Sequence, residues 1–368
     1  MTAAAPRLLT LVAELTYGCK LRCAYCSNPV EVAQRAPALS AGDWLRVIEQ
    51  AEEMGALQVH FTGGEPLLFQ ELELLVGRAR EKQLYTNLIT SGVPLSRDRL
   101  RALERAGLDH VQLSFQAASS ASNLRIAGID ATAQKLEVAR WAKELELPLT
   151  VNLVLHRENL GEIEQLLALA ESLEPHRIEL ANAQYLGWAL RNRERLLPSA
   201  HQLEEARQLA AASRERLAGK TDVLFVLPDY YGDRPRACMQ GWASSYLVVT
   251  PDGLALPCQA ARDLPGLLFD DVRSAPLAEI WARSPALGAF RGADWLPQPC
   301  RGCAERERDF GGCRCQAFAL TGDASAPDPA CSVTPSHHLI RSARQRAELG
   351  APSAPLELRR APRRLSVE

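Results

Sequence analysis

Three cysteines, Cys19, Cys23 and Cys26, stand in the spacing C-x3-C-x2-C. Thiolates this close on one loop suit zinc or an iron-sulfur cluster, because soft sulfur ligands select those metals. Either site takes four ligands, so three leave one position open for a small chelating molecule. A zinc knot closed by a distant histidine is the competing reading. Cys238, Cys258, Cys300, Cys303, Cys313, Cys315 and Cys331 crowd the last third, and no cysteine lies between Cys26 and Cys238. A disulfide scaffold spreads its cysteines through its loops, so these ten read as two metal-binding regions separated by a metal-free body. Gly63-Gly64-Glu65-Pro66 is a further candidate. Glycines let backbone approach a ligand closely, and a carboxylate or carbonyl accepts from an ammonium group, although alone the stretch is an ordinary strand-to-helix turn.

These residues need strands to carry them. Leu8 to Leu15 is a short apolar, partly β-branched run that predicts a strand with the cysteine loop leaving its C-terminal end. Ser40 followed by Asp43 predicts a capped helix through about Met54, and Leu57 to Phe61 is the next strand, running into the glycine pair. The alternation continues with helices near 69–82, 96–106, 132–146 and 160–173, and strands over 84–90, 109–115, 149–155 and 177–181. The amphipathic segment from Pro198 to Ala218 completes six strand-helix units. Repeated alternation implies a parallel sheet covered by helices, and six units are too few for an eight-unit barrel. In such folds the chemistry sits at the C-terminal strand ends, where every motif here falls.

The 368 residues, 47% of them hydrophobic, exceed one typical domain and suit a barrel-sized unit plus a smaller module. A net charge of -2 leaves no electrostatic footprint for nucleic acid. Residues 1 to 8 lack the basic start and apolar region of a signal peptide, and no later apolar run is long enough for a bilayer, so no membrane partner and a cytoplasmic location are expected. A Pro-, Gly- and Asp-rich stretch from Asp229 to Pro235 marks a linker. The arginine-, alanine- and proline-rich segment 340–368, with the pairs Arg359-Arg360 and Arg363-Arg364, predicts a disordered tail. His110, His156 and His176 read as structural or solvent-facing, and Trp188, Tyr230 and Tyr231 as packing residues with a peptide groove as the alternative.

The cysteine spacing, with Tyr25 just before the last cysteine and the glycine motif following in order, resembles the radical SAM superfamily. The resemblance implies a partial, TIM-like (β/α)6 barrel over about residues 8–220. There Cys19, Cys23 and Cys26 hold a [4Fe-4S] cluster whose open iron binds S-adenosylmethionine (SAM), source of a 5'-deoxyadenosyl radical. It also implies SAM contacts from Gly63, Gly64 and Glu65 toward the amino group, and from Thr90, Ser91, Ser114 and Gln116 toward the carboxylate and ribose, with Asn152 and Tyr25 as further cofactor residues. The cysteines from 238 onward resemble a SPASM domain, placed at 229–338, which implies two auxiliary iron-sulfur clusters. That pattern is commonly C-x2-C-x5-C-x3-C, and here its third cysteine is Asp309. The expected sets are Cys238, Cys258, Cys313 and Cys315 around a [2Fe-2S] or [4Fe-4S] cluster, and Cys300, Cys303, Asp309 and Cys331 around a [4Fe-4S] cluster.

Ala13 to Tyr17, Tyr85 to Gly92, Pro228 to Tyr231 and Asp309 to Phe318 together resemble the radical SAM enzymes of pyrroloquinoline quinone biosynthesis. Those enzymes form a carbon-carbon bond between a glutamate and a tyrosine of a precursor peptide, PqqA. The resemblance implies that peptide, the peptide chaperone PqqD and an electron donor such as flavodoxin or ferredoxin as partners. A catalytic base is not identifiable. Another SPASM peptide maturase, sulfatase-activating or thioether-forming, is the second reading, and a non-catalytic electron-transfer or zinc protein the third.

Overall fold

A computed structural model describes residues 6–30 and 38–360. Seven parallel strands run in chain order across one sheet: β1 (Thr10–Thr16), β2 (Gln58–Gly63), β3 (Tyr85–Thr90), β4 (His110–Phe115), β5 (Leu149–Leu155), β6 (Arg177–Asn182) and β7 (Asp222–Phe225). Two later strands, β8 (Tyr246–Val249) and β9 (Ala255–Leu256), extend the sheet from the β1 side. β8 is parallel to β1 and β9 antiparallel to β8. The sheet does not close, since β7 and β9 form its two edges.

Helices α1 (Ala41–Glu53), α2 (Leu72–Glu81), α3 (Arg97–Ala106), α4 (Ser120–Ala127) and α5 (Thr132–Glu144) lead the helical layer. Ser40 and Asp43 form a reciprocal capping box at the start of α1. Outward strand residues such as Val59, Leu88, Val111 and Val151 are fully buried together with Ile48, Leu75, Leu100 and Val138 of the helices. Covered on that face and facing a cavity on the other, these strands read as nearly continuous apolar runs.

The segment after Pro198 is the expected helix, Ala200–Arg216, and a four-residue strand not foreseen in the sequence, β7, follows it. The segment expected to be a disordered tail instead continues the fold. Residues His338–Glu348 are helical, with Ile340, Ala343 and Ala347 buried against Tyr185 and Leu196, and 351–360 run on to a buried Arg359. The composition rule counted arginines and prolines but not the apolar stripe at 340, 343 and 347. Arg363 and Arg364 lie outside the described residues.

Candidate active site

The cysteine loop leaves β1 and is tied on every side to elements distant in sequence. Arg22 N and Ala24 N donate to Ala127 O and Ile126 O at the end of α4, both at 2.8 Å. Cys26 O accepts from Trp188 N at 3.0 Å, and Asn192 Nδ2 donates to Ala24 O at 2.9 Å. Gly64 N donates to Thr16 O at 2.5 Å and Glu65 N to Gly18 O at 2.7 Å, so the glycine motif pairs with the loop's own backbone. A Cβ on Gly63, at φ +128°, would stand 2.5 Å from Thr16 O, and one on Gly64 would overlap Gly18 O. The close approach that requires glycine is therefore between two backbone segments.

Glu65 points away from the open space. Its carboxylate is buried and accepts from Thr90 Oγ1 at 2.5 Å, Ser91 N at 2.9 Å, Leu67 N at 3.3 Å and the Ser91 hydroxyl. Burial pushes its pKa up, and these donors pull it back. The residue braces the end of β3 against the turn after β2.

A cavity of ≈ 480 Å³ opens at the C-terminal strand ends, and Cys19, Cys23 and Cys26 line it with Tyr25, Gly63, Gly64, Thr90, Ser91, Ser114, Gln116 and Asn152. All the cofactor residues expected from the sequence except Glu65 therefore share one wall or another of this cavity. Ser114 is in register with Asn152, and Asn152 with Glu179, which gives a polar row across β4, β5 and β6. Tyr25 packs against the buried His156, with ring centroids 5.1 Å apart. Burial pushes the Cys23 thiol up to about 12, and the neighbouring charges of Cys26 and Cys19 add to the effect. Three thiols that resist ionising together need cationic compensation.

Lys135 supplies part of it. It is buried on α5 and donates to Ser114 O at 2.8 Å and to the Gln116 side-chain oxygen. Its charge favours the Cys23 thiolate, while its own pKa falls to about 8 through burial. Sequence reasoning missed it, although the signal existed. Lys135, Val138, Ala139 and Ala142 form the buried stripe of α5, so a lysine stands where the helical period calls for an apolar residue. Glu179 and Arg359, which also line the cavity, carry no such local signal.

The later cysteines gather in two places. Cys258 Sγ lies 3.7 Å from Cys315 Sγ, and Cys238 is within hydrogen-bond reach of both Cys258 and Cys313. Arg314, fully buried between two of these cysteines, donates to Ala324 O at 3.0 Å, Ala326 O at 2.8 Å and Gly311 O, and stacks over Trp295 at 4.7 Å. Asp328 accepts from Cys313 N at 2.8 Å and fixes the turn that presents that thiol. Cys300 and Cys331 both feel the charge of Asp309, and burial is the main cause of their raised pKa values. Asp309 Oδ1 accepts from Gly311 N at 2.9 Å, and Arg234 approaches Cys303 Sγ at 3.7 Å. Among the described residues no group of three or more His, Cys, Asp or Glu side chains stands as the shell of a single metal ion.

A second cavity, ≈ 440 Å³, reaches Cys238, Cys258 and Cys313 and is walled by Tyr185, Asp229 and Tyr230. It shares Ser27, Asn182, Ala183, Gln184, Tyr246 and Gln259 with the first, so the two open onto one another. Trp188 and Tyr231 are not among its lining residues, whereas Tyr230 is. Among the described residues no helix is long and apolar enough to cross a membrane.

The sequence profile of the radical SAM superfamily matches residues 13–170, and that of an iron-sulfur cluster-binding domain, SPASM, matches 238–304. The chain is 49% identical over 334 residues to the PqqA peptide cyclase of Granulibacter bethesdensis, covering 90% of this chain and 89% of that protein. It is 50% identical over 344 residues to the PqqA peptide cyclase of Gluconobacter oxydans, with 93% and 95% covered. Streptococcus suis SuiB bound to S-adenosylmethionine shares the fold with a TM-score of 0.74 at 18% identity, over 90% of this chain and 79% of that one. Native anSMEcpe with bound AdoMet gives 0.64 at 15% identity, over 93% and 97%. With about half its residues identical to these cyclases over some nine-tenths of their length, the chain belongs to the family of PqqA peptide cyclases, radical SAM enzymes with a C-terminal SPASM domain.

Proposed function

We propose that this enzyme joins a glutamate and a tyrosine side chain of a precursor peptide of the PqqA type by a carbon-carbon bond. The observation that carries the reading is the pair of connected cavities, one lined by Cys19, Cys23 and Cys26 and the other by Cys238, Cys258 and Cys313. A peptide segment in the shared stretch between Ser27 and Tyr246 has one thiol set on either side.

The donor chemistry fits iron-sulfur clusters. Cys19, Cys23 and Cys26 are the proposed ligands of a [4Fe-4S] cluster, and the polar row of Ser114, Asn152 and Glu179 offers hydroxyl, amide and carboxylate partners for a nucleoside. When bound, cluster and SAM supply a radical that abstracts a hydrogen atom. Cys238, Cys258, Cys313 and Cys315 would hold one proposed auxiliary cluster, and Cys300, Cys303, Asp309 and Cys331 the other; such clusters would supply electron-accepting capacity beside the peptide. The chain's own work is to fix one glutamate side chain against one ring and to keep water from the reacting atoms. A PqqD-type chaperone and a flavodoxin or ferredoxin are the proposed partners.

The test is fragmentation mass spectrometry of peptide after anaerobic reaction with SAM, reductant and chaperone. The reading expects a Glu-to-Tyr link in a peptide lighter by two hydrogens. Activity confined to a cysteine-containing peptide would instead assign the chain to the thioether-forming or sulfatase-activating maturases.

A further inference from the structure

The C-terminal segment enters the site. Beyond helix His338–Glu348 the chain is pinned at successive points: Arg195 Nη1 donates to Ala354 O at 2.5 Å, the Asn192 amide pairs with both backbone groups of Glu357 at 2.8 Å, and Arg191 meets the Glu357 carboxylate at 3.1 Å. The strap then docks on the cysteine loop. Arg359 N donates to Arg22 O at 3.1 Å, Arg22 Nε returns a bond to Arg359 O at 3.1 Å, and Arg359 Nη2 donates to Tyr17 O at 2.5 Å. Arg359 is only 7% exposed, and it lines the three-cysteine cavity.

Among the described residues, no carboxylate forms an ion pair with this guanidinium, and only one of its five N–H donors has a protein acceptor, the Tyr17 carbonyl. Taking an arginine out of water in this way is costly unless an anion faces it. The cavity that Arg359 lines also carries the thiols of Cys19, Cys23 and Cys26 and the carboxylate of Glu179. Lys135, buried on α5 and bonded to Gln116 of the same cavity, is a second buried cation beside the site.

We infer that Arg359 is a positioning residue of the radical site, carried there by a C-terminal strap: it fixes the Tyr17–Arg22 turn and sets positive charge against the anionic cluster held by Cys19 and Cys26. The inference rests on the reading of those cysteines as cluster ligands. A cation lining the same cavity favours the more negative, reduced cluster, so its removal makes reduction harder.

The experiment compares full-length parent, Arg359→Ala, Arg359→Lys and Arg360→Ala, each reconstituted anaerobically. Arg360 is two-thirds exposed and serves as the control for tail charge. The signal assigned to the radical site is the part of the reduced resonance spectrum that the Cys19, Cys23, Cys26 triple alanine chain lacks. For Arg359→Ala the reduced-to-oxidised ratio of that signal at fixed potential should fall at least tenfold, a shift of about 59 mV for one electron. Arg359→Lys should keep the parent's potential, and Arg360→Ala should match the parent throughout. Loss of the signal in Arg359→Ala, with iron retained at the auxiliary sites and recovery by lysine, supports the inference equally. An Arg359→Ala chain with the parent's signal and potential overturns it, as does equal loss in the alanine and lysine variants accompanied by lowered thermal stability, which would mark a purely structural contact. If the triple alanine chain has the parent's spectrum, the ligand reading itself fails, and the strap inference falls with it.

Discussion

Glu14 sits inside an apolar strand, 2% exposed, with Gln259 Nε2 donating to its carboxylate at 3.1 Å. Burial raises its pKa to about 7 despite that bond and the nearby Arg262. The unfolded chain titrates near the ordinary value of about 4.3, so between the two values the folded state holds the extra proton and stability falls as pH rises. The penalty is absent below about pH 4 and complete above about pH 7, where it is on the order of 3–4 kcal/mol. Glu14→Gln should therefore stabilise the holoprotein at about pH 8 and leave it nearly unchanged at about pH 4, as read by anaerobic urea unfolding. Equal effects at both pH values would show that the carboxyl is not held neutral. Asp309 gives a second prediction. If Asp309 is a ligand, as proposed, its oxygen is harder than thiolate, so Asp309→Cys should keep iron content while changing the spectrum and potential, and Asp309→Ala should weaken the cluster. Parent-like iron, spectrum and peptide cross-linking in both variants would remove Asp309 from the ligand set. At this scale cysteines were readable because their type and spacing are local. Lys135 announced itself only by breaking a helical stripe, and Arg359 reaches the loop through a fold that joins residues 337 positions apart.

A buried ion pair inside the C-terminal region positions the arginine that ties that region to the first strand. Arg262 grips Asp252 through two bonds of 2.7 Å and reaches the Tyr17 hydroxyl at 3.2 Å, so the SPASM region grasps the residue just before the cysteine loop. Removing one partner leaves a buried charge without its counterion, which typically costs about 3–5 kcal/mol. Asp252→Ala should lower stability by that order in anaerobic chemical denaturation, and the cysteine loop should lose cluster iron before the auxiliary sites do. Unchanged stability would contradict the coupling. Most of this layer was legible: apolar runs alternating with amphipathic stripes located β1 to β6 and their helices to within a few residues. β7 was too short to show a pattern, and β8 pairs with β1 only because the chain returns some 230 residues later, a contact no local signal carries. The tail was misread because arginines that dock onto carbonyls look, in composition, like arginines in water.

The whole molecule is an open sheet whose C-terminal rim carries the three-cysteine cavity, with the auxiliary cysteines folded over the same rim and a shared passage between them. On the proposed function, SAM cleavage and peptide oxidation are one coupled event. The most direct measurement is a single anaerobic reaction containing enzyme, SAM, reductant, chaperone and precursor peptide, in which 5'-deoxyadenosine and peptide mass are followed together for the parent and for the Cys19, Cys23, Cys26 triple alanine chain. The account predicts 5'-deoxyadenosine and a peptide lighter by two hydrogens from the parent, and neither from the variant. SAM cleavage by the triple variant, or vigorous cleavage by the parent with the peptide mass unchanged, would contradict it.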